Sequence, residues 1–348
     1  MKIDPEEYKN YYFETVTELL KTPSPSGYYS EIMAVIKKYS DELGADFELT
    51  RKGCAILSVK GKDHSRTLGL SAHCDTLGAM VRGIDAKGEL TFTKVGGPQL
   101  PTLDGEFCTV ITRGGKRYTG TFLCKSPSSH VFPDAATRPR DDANMYIRLD
   151  EVVKTDKDVR ALGIESGDYV CIDPKTTVTE SGFLKSRFID DKASVACFLT
   201  LLKIFKDKKI TPAYDVKMLI TMYEEVGHGA AYVPEGLYTM LAVDMGCIGT
   251  DLNCTEYDVS ICAKDGHGPY DYALTTNLIE LAKANGLSYA VDIYPFYGSD
   301  IGAMWSAGYD VPGALIGTGV HASHGMERTH FNGIKNTISL IALYLGVN

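Results

Sequence analysis

No two cysteines in the chain are spaced Cys-x-x-Cys. The nine that occur, Cys54, Cys74, Cys108, Cys124, Cys171, Cys197, Cys247, Cys254 and Cys262, are scattered and odd in number. That distribution disfavours both a disulfide framework and a thiolate zinc site. Long apolar runs are missing too: nothing is long enough to cross a bilayer. The opening residues Met1-Lys2-Ile3-Asp4-Pro5-Glu6-Glu7 carry no apolar stretch of the secretory kind. The expected compartment is the cytoplasm. There is no basic excess either, because 36 Lys and Arg stand against 45 Asp and Glu, a formal net charge of −9. Nucleic acid and anionic membrane surfaces would be repelled, so neither is expected as a partner. Tandem repeats and low-complexity segments are absent.

What remains is ordinary globular material: 348 residues, 44% hydrophobic, with 34 glycines. The length exceeds one simple domain, so two domains or one with a large insertion are expected. Residues 6–21 and about 30–43 have helical apolar spacing, with Tyr8, Tyr12, Val16, Leu19 and Leu20 in the first and Ile32, Val35, Ile36 and Tyr39 in the second. Pro23-Ser24-Pro25-Ser26-Gly27 separates them. Strands are expected at 47–51, 54–59 and 67–72, the last delivering His73-Cys74-Asp75. From Leu77 to about Lys185 the texture changes to alternating stretches such as Glu89-Leu90-Thr91-Phe92-Thr93, broken by turns. One helix is expected there, at 150–161. Lys192 to Phe205 resumes long-helix texture, and strands then alternate with helices to the end. The expected division is a discontinuous α/β domain, 1–76 with 186–348, interrupted by a β-rich insertion at 77–185.

The chemistry centres on Tyr223-Glu224-Glu225-Val226-Gly227, which follows the apolar strand-like run 216–222. Both carboxylates are expected at the end of that strand, where neighbours point to opposite sides and cannot share a role. One division of labour fits metal hydrolases: one carboxylate binds a cation while its neighbour takes a proton from the activated water. Four further strand ends supply partners: His73, the pair Asp190-Asp191, Asp244 and His324. In open α/β sheets, ligands gather beyond the carboxyl ends of parallel strands. Only His and carboxylates recur there, which suits zinc, cobalt or manganese. One of the two aspartates can bridge a cation pair, and Asp75 is placed to hold the His73 imidazole from behind. Singly, each has a plainer explanation, such as a helix N-cap for Asp190-Asp191. Of His321, His324 and His330, at most one needs to be a ligand. Cys74 reads as core, and His228 and His267 have no independent claim.

Ser71-Ala72-His73-Cys74-Asp75-Thr76-Leu77-Gly78, Val95-Gly96-Gly97, Ile189-Asp190-Asp191-Lys192-Ala193, Tyr223-Glu224-Glu225-Val226-Gly227, Ala242-Val243-Asp244 and Ser323-His324-Gly325-Met326-Glu327 occur in one order over nearly the whole chain. Together they resemble the tetrahedral-aminopeptidase and glutamyl-aminopeptidase family of dinuclear metallopeptidases, some of whose members are labelled endoglucanase. The resemblance implies a mixed, mostly parallel sheet flanked by helices, with an inserted barrel-like dimerisation domain. It further implies His73 and Asp244 as terminal ligands, Asp190 as the bridge, and Glu225 and His324 as the remaining ligands. Glu224 would be the general base and Asp75 the residue orienting His73. His130 sits where such insertions carry a histidine. The chain departs from the family pattern in three places. Lys192 stands where Arg is common, and Val226-Gly227-His228-Gly229-Ala230 is short. Glu327 follows His324 one residue early, which keeps His321 open as the alternative last ligand.

The activity so implied is removal of N-terminal residues from short peptides by a water activated between two divalent ions, zinc first, with cobalt or manganese as alternatives. Self-association to a dimer or dodecamer is implied as well. A two-metal deacylase of N-acyl amino acids would use the same site, and a non-catalytic assembly protein could keep the fold, although Glu224 argues against it. A glycosidase needs only paired carboxylates and leaves His73 and His324 unexplained.

Overall fold

The computed structural model describes residues 3–347. A nine-stranded mixed sheet forms one part of the molecule and a closed six-stranded barrel another. In the sheet, four parallel strands lie side by side in the order Tyr214–Thr221, Asp63–His73, Leu237–Cys247 and Gly313–Val320. Antiparallel strands flank them on both sides, and one further parallel pair, Val259–Asp265 with Tyr289–Ile293, lies beyond them at one edge. Gly313–Val320 is buried throughout and the other three are buried over their C-terminal halves, Leu68–His73, Met218–Thr221 and Met240–Gly246, as expected of strands covered on both faces. The close spacing of the last pair depends on Gly317, where a Cβ would lie 1.7 Å from the Asp244 carbonyl oxygen.

The helix Ile189–Lys208 is buried around its whole circumference from Ile189 to Leu202, polar residues included. It is covered by the helices Lys9–Lys21, Ser30–Leu43 and Phe331–Tyr344 and by the central strands, so every face meets core. Lys192 is 1% exposed within it and donates to the carbonyls of Leu19 (2.9 Å) and Thr22 (2.7 Å). That pairing ties the first helix to the start of this one. No helix is long and apolar enough to cross a membrane among the described residues.

The barrel comprises Gly78–Ile84, Leu90–Val95, Phe107–Ile111, Arg117–Cys124, Met145–Leu149 and Tyr169–Ile172. Phe92 and Phe122 meet edge to face in its core, with centroids 5.1 Å apart. The helix expected at 150–161 is shorter, Asp156–Ala161. Thr155 and Asp158 form a capping box that fixes its start, and the residues before it stay irregular. Beyond the barrel, Phe183–Ser186 pairs with Glu327–His330, and Ser186 lies opposite Glu327. This small sheet brings the start of the long helix against the loop that carries His324.

Two expectations about strand ends need correction. Glu224 and Glu225 are not on a strand: Tyr214–Thr221 ends earlier, and both glutamates sit in a short 3₁₀ turn, Glu224–Val226. Two-residue alternation therefore does not separate their roles; the turn does. Asp244 does not end its strand either, which continues to Cys247 beside Gly313–Val320.

Candidate metal centre

His73 is the last residue of its strand and 2% exposed. Its Nε2 lies 3.0 Å from Asp190 Oδ1 and 3.8 Å from Glu224 Oε2. The other Asp190 oxygen faces His324, whose Nε2 is 3.7 Å away, and the same His324 atom is 3.6 Å from Glu225 Oε2. Asp190 thus stands between the two imidazoles with one oxygen toward each. Two compact groups of ligand atoms result, His73, Asp190 and Glu225, and His73, Asp191 and Asp244, each within 4.8 Å. Asp190 and Asp191 carry non-helical backbone angles at the head of the long helix, and the peptide bond between them is cis.

The surroundings hold these groups in place. Asp75 is fully buried; Ser26 Oγ donates to its Oδ2, and the N–H groups of Glu224 and Glu225 reach the carboxylate at 3.2 and 3.4 Å. The His73 Nδ1 is 3.1 Å from the Asp75 carbonyl oxygen and 3.6 Å from its carboxylate. Asp75 therefore steadies the turn carrying both glutamates as well as lying behind the imidazole. His324 has a left-handed backbone (φ 63°), and its Nδ1 lies 3.1 Å from the Gly97 carbonyl oxygen. The Val95-Gly96-Gly97 motif thus belongs to a loop leaving the barrel that reaches the catalytic face. Glu327, 2% exposed, accepts from the N–H of Asp190 and that of His324, both at 3.0 Å.

The charge balance here is lopsided. Among the described residues no Lys or Arg pairs with Asp190, Asp191, Glu224, Glu225, Asp244 or Glu327. Burial pushes Asp191, Glu224, Glu225 and Glu327 well above the ordinary carboxylate range. Burial, with Asp190 nearby, raises Asp244 to about 7. Asp190 is the exception: burial raises it, but His73 and His324 outweigh that and bring it below normal. Asp191 Oδ1 and Glu225 Oε1 are buried with no hydrogen-bond partner. Unpaired oxygens on buried carboxylates clustered with His73 are what divalent cations satisfy, and a bound cation reverses the direction of such pKa shifts. The donor set, oxygen and imidazole nitrogen without sulfur, fits that group.

Glu224 and Glu225 differ in access. The Glu224 side chain is 16% exposed toward the cleft, and that of Glu225 only 4%. Of the other candidates, His321 is exposed and pairs through its backbone with Arg328. His130 is exposed on the long connection between two barrel strands. His330 caps the last helix, and Cys74 is buried in the core. Sequence reasoning gave no role to Ser26 and treated Glu327 only as part of a motif. The available signal was positional: a glutamate three residues past a histidine, which the structure places buried at the start of the strand Glu327–His330.

Residues 53–340 match the family model for M42 glutamyl aminopeptidase. The chain belongs to the M42 glutamyl aminopeptidase family. It is a peptide-bond hydrolase of aminopeptidase type, and membership in a metallopeptidase family implies divalent metal ions. A Bacillus subtilis protein, YhfE, named as a candidate aminopeptidase, is 43% identical over 333 residues, covering 95% of this chain and 96% of the relative. Among solved structures, a TET aminopeptidase from a marine-sediment thaumarchaeon superposes with a TM-score of 0.86 at 20% identity, covering 96% of both chains. The Pyrococcus horikoshii TET1 peptidase, described as assembling into a tetrahedron or a large octahedral shell, gives 0.83 at 22% identity over 96% of this chain and 99% of its own. These likenesses establish the α/β fold with its barrel, as the motif order implied.

Proposed function

We propose that this M42 enzyme is a dinuclear metallo-aminopeptidase that removes N-terminal residues from short peptides, with Glu224 as general base. The observation that carries the reading is Asp190, whose two oxygens face His73 at 3.0 Å and His324 at 3.7 Å, beside a glutamate left open to the cleft. His73 and Asp244 would hold one cation, Glu225 and His324 the other, and Asp190 both. Bound there, the cation pair acidifies water and polarises the scissile carbonyl. Glu224 takes the proton of the attacking water and delivers it to the leaving amine nitrogen. Asp75 orients His73 and fixes the Glu224–Glu225 turn. Zinc is the first choice of metal, with cobalt or manganese as alternatives.

Residues 77–185 form an inserted dimerisation domain in this reading, between the two parts of a catalytic domain at 1–76 and 186–348. Self-association to a dimer or a dodecamer is supported by the tetrahedral and octahedral assemblies described for the archaeal TET1 peptidase. The cytoplasm is supported by nine free cysteines, which suit a reducing compartment. The test is chelation followed by readdition of zinc, cobalt or manganese against free-amine and N-acetylated aminoacyl substrates. Activity should vanish and return on the free-amine set only. Glu224→Gln should retain its metal and lose about 10²- to 10⁴-fold in turnover; full activity in that variant removes the role.

A further inference from the structure

Resting on that aminopeptidase chemistry, we infer that the cleft selects a free N-terminal residue with an apolar, uncharged side chain of the leucine, methionine or phenylalanine type and disfavours an acidic one. The cleft is about 560 Å³, and one wall carries the metal-site carboxylates. The remaining wall includes Met245, Leu252, Tyr294, Phe296 and Tyr297. No Lys or Arg lines it among the described residues.

The polar atoms on this wall are already paired. The Tyr294 hydroxyl is paired with Ser260 Oγ, and the Tyr297 hydroxyl donates to the Met245 carbonyl at 3.2 Å. Ser299 Oγ is 2.8 Å from the Tyr270 hydroxyl. Asp300 is 3% exposed and accepts from Thr221 Oγ1 at 2.8 Å and from the Ala230 N–H at 2.9 Å, so both oxygens are turned into the protein rather than toward a substrate side chain. The one basic ring is His267. It is half exposed and packs on one side against Gly302, where a Cβ would lie 2.6 Å from its Nδ1, and that nitrogen lies 4.0 Å from Asp265.

A glutamate side chain entering here would lose its hydration and find no Lys or Arg to pair with, whereas a leucine side chain would exchange water for carbon. Phe296 stands at the rim with 102% exposure, a large apolar surface that a substrate side chain can cover. A site built to bind a carboxylate needs a placed cation, as Arg provides. Among the described residues no Lys or Arg is placed here, and the one imidazole on this wall, His267, lies beside Asp265.

The test uses the metal-loaded full chain and p-nitroanilides of Leu, Met, Glu and Lys. The expected kcat/KM for Leu and Met exceeds that for Glu and Lys by about 10- to 100-fold, the scale of burying one aliphatic side chain. Glu or Lys equal to Leu overturns the inference. Leu252→Arg should shift the Glu-to-Leu ratio toward Glu by about tenfold or more; an unchanged ratio overturns the placing of this wall against the substrate side chain. A third arm does not depend on turnover: calorimetric binding of Leu-Gly-Gly and Glu-Gly-Gly to metal-loaded Glu224→Gln. The leucyl peptide should bind about tenfold tighter, and equal affinities overturn the selectivity. If that preference holds while the wild-type chain hydrolyses no aminoacyl substrate, the catalytic reading fails and the selectivity stands.

Discussion

The Glu327 carboxylate accepts the backbone N–H of Asp190 at 3.0 Å, and its other oxygen accepts that of His324 at the same distance. One buried side chain thus fixes the spacing between the proposed bridging ligand and the last ligand, from a strand paired with the segment before Asp190. Glu327→Ala should therefore lower metal affinity by about 10- to 100-fold. Metal content after dialysis against graded chelator is the measurement. Glu327→Gln keeps one acceptor oxygen and should fall between wild type and Ala; wild-type metal retention in both variants would mean the two backbones are held by something else.

Asp75 predicts a loss of rate. Its carboxylate receives the Ser26 hydroxyl and the two N–H groups of Glu224 and Glu225, and it is completely buried. Asn has one acceptor oxygen and cannot serve all three donors. Asp75→Asn should lower kcat by about 10- to 100-fold. Ser26→Ala removes one donor and should cost only about 1 kcal/mol of stability. Steady-state kinetics and urea melts of both variants separate the two outcomes; equal effects would place Ser26 and Asp75 in a single structural role.

His73 and the carboxylates were legible in the sequence because each follows or sits in a buried apolar run, and such runs announce themselves by composition. The barrel showed as alternation and turn residues over 77–185. The turn carrying Glu224 and Glu225 was not legible, because nothing in Tyr-Glu-Glu-Val-Gly says where a strand stops. The extent of the Asp244 strand was hidden similarly: Met245, Gly246 and Cys247 stay in register with Gly313–Val320 through tertiary pairing, not local propensity. Contacts such as Glu327 with Asp190, or Gly97 with His324, span more than a hundred residues of chain, and periodicity carries no information about them.

Glu106 gives a pH dependence of stability. It is 3% exposed, with Arg187 Nη2 at 2.8 Å and Lys175 Nζ at 2.7 Å. Burial raises its pKa, but the hydrogen bonds from Lys175 and Arg187 outweigh that and set it below the ordinary range. A carboxylate depressed in the folded state stabilises above its unfolded pKa, and that stability is lost as pH falls through the folded value. Glu106→Gln should cost about 3 kcal/mol near neutral pH, the scale for leaving a buried charge unpaired. Denaturant melts from about pH 6 to about pH 3 should show the difference from wild type shrinking as the pH falls. A difference that is constant or grows toward acid would contradict the pairing.

Gly96 and Gly97 are neighbours that should fail in different ways. Gly96 has φ +70°, and a Cβ there would meet Leu77 Cδ2 at 2.6 Å and the Glu225 carbonyl oxygen at 3.3 Å. Gly96→Ala therefore combines left-handed strain, about 1–2 kcal/mol, with pressure on the Glu225 backbone, and should lower the melting temperature. A Cβ on Gly97 would instead lie 3.3 Å from His324 Nδ1, the atom that the Gly97 carbonyl faces at 3.1 Å. Gly97→Ala should leave apo stability nearly unchanged and weaken metal binding, because the ring must shift by a few tenths of an ångström. Parallel thermal melts with and without added zinc distinguish them: Gly96→Ala loses stability in both conditions, whereas Gly97→Ala loses mainly the zinc-dependent increment. An unchanged increment in Gly97→Ala would mean that this loop does not help to orient His324.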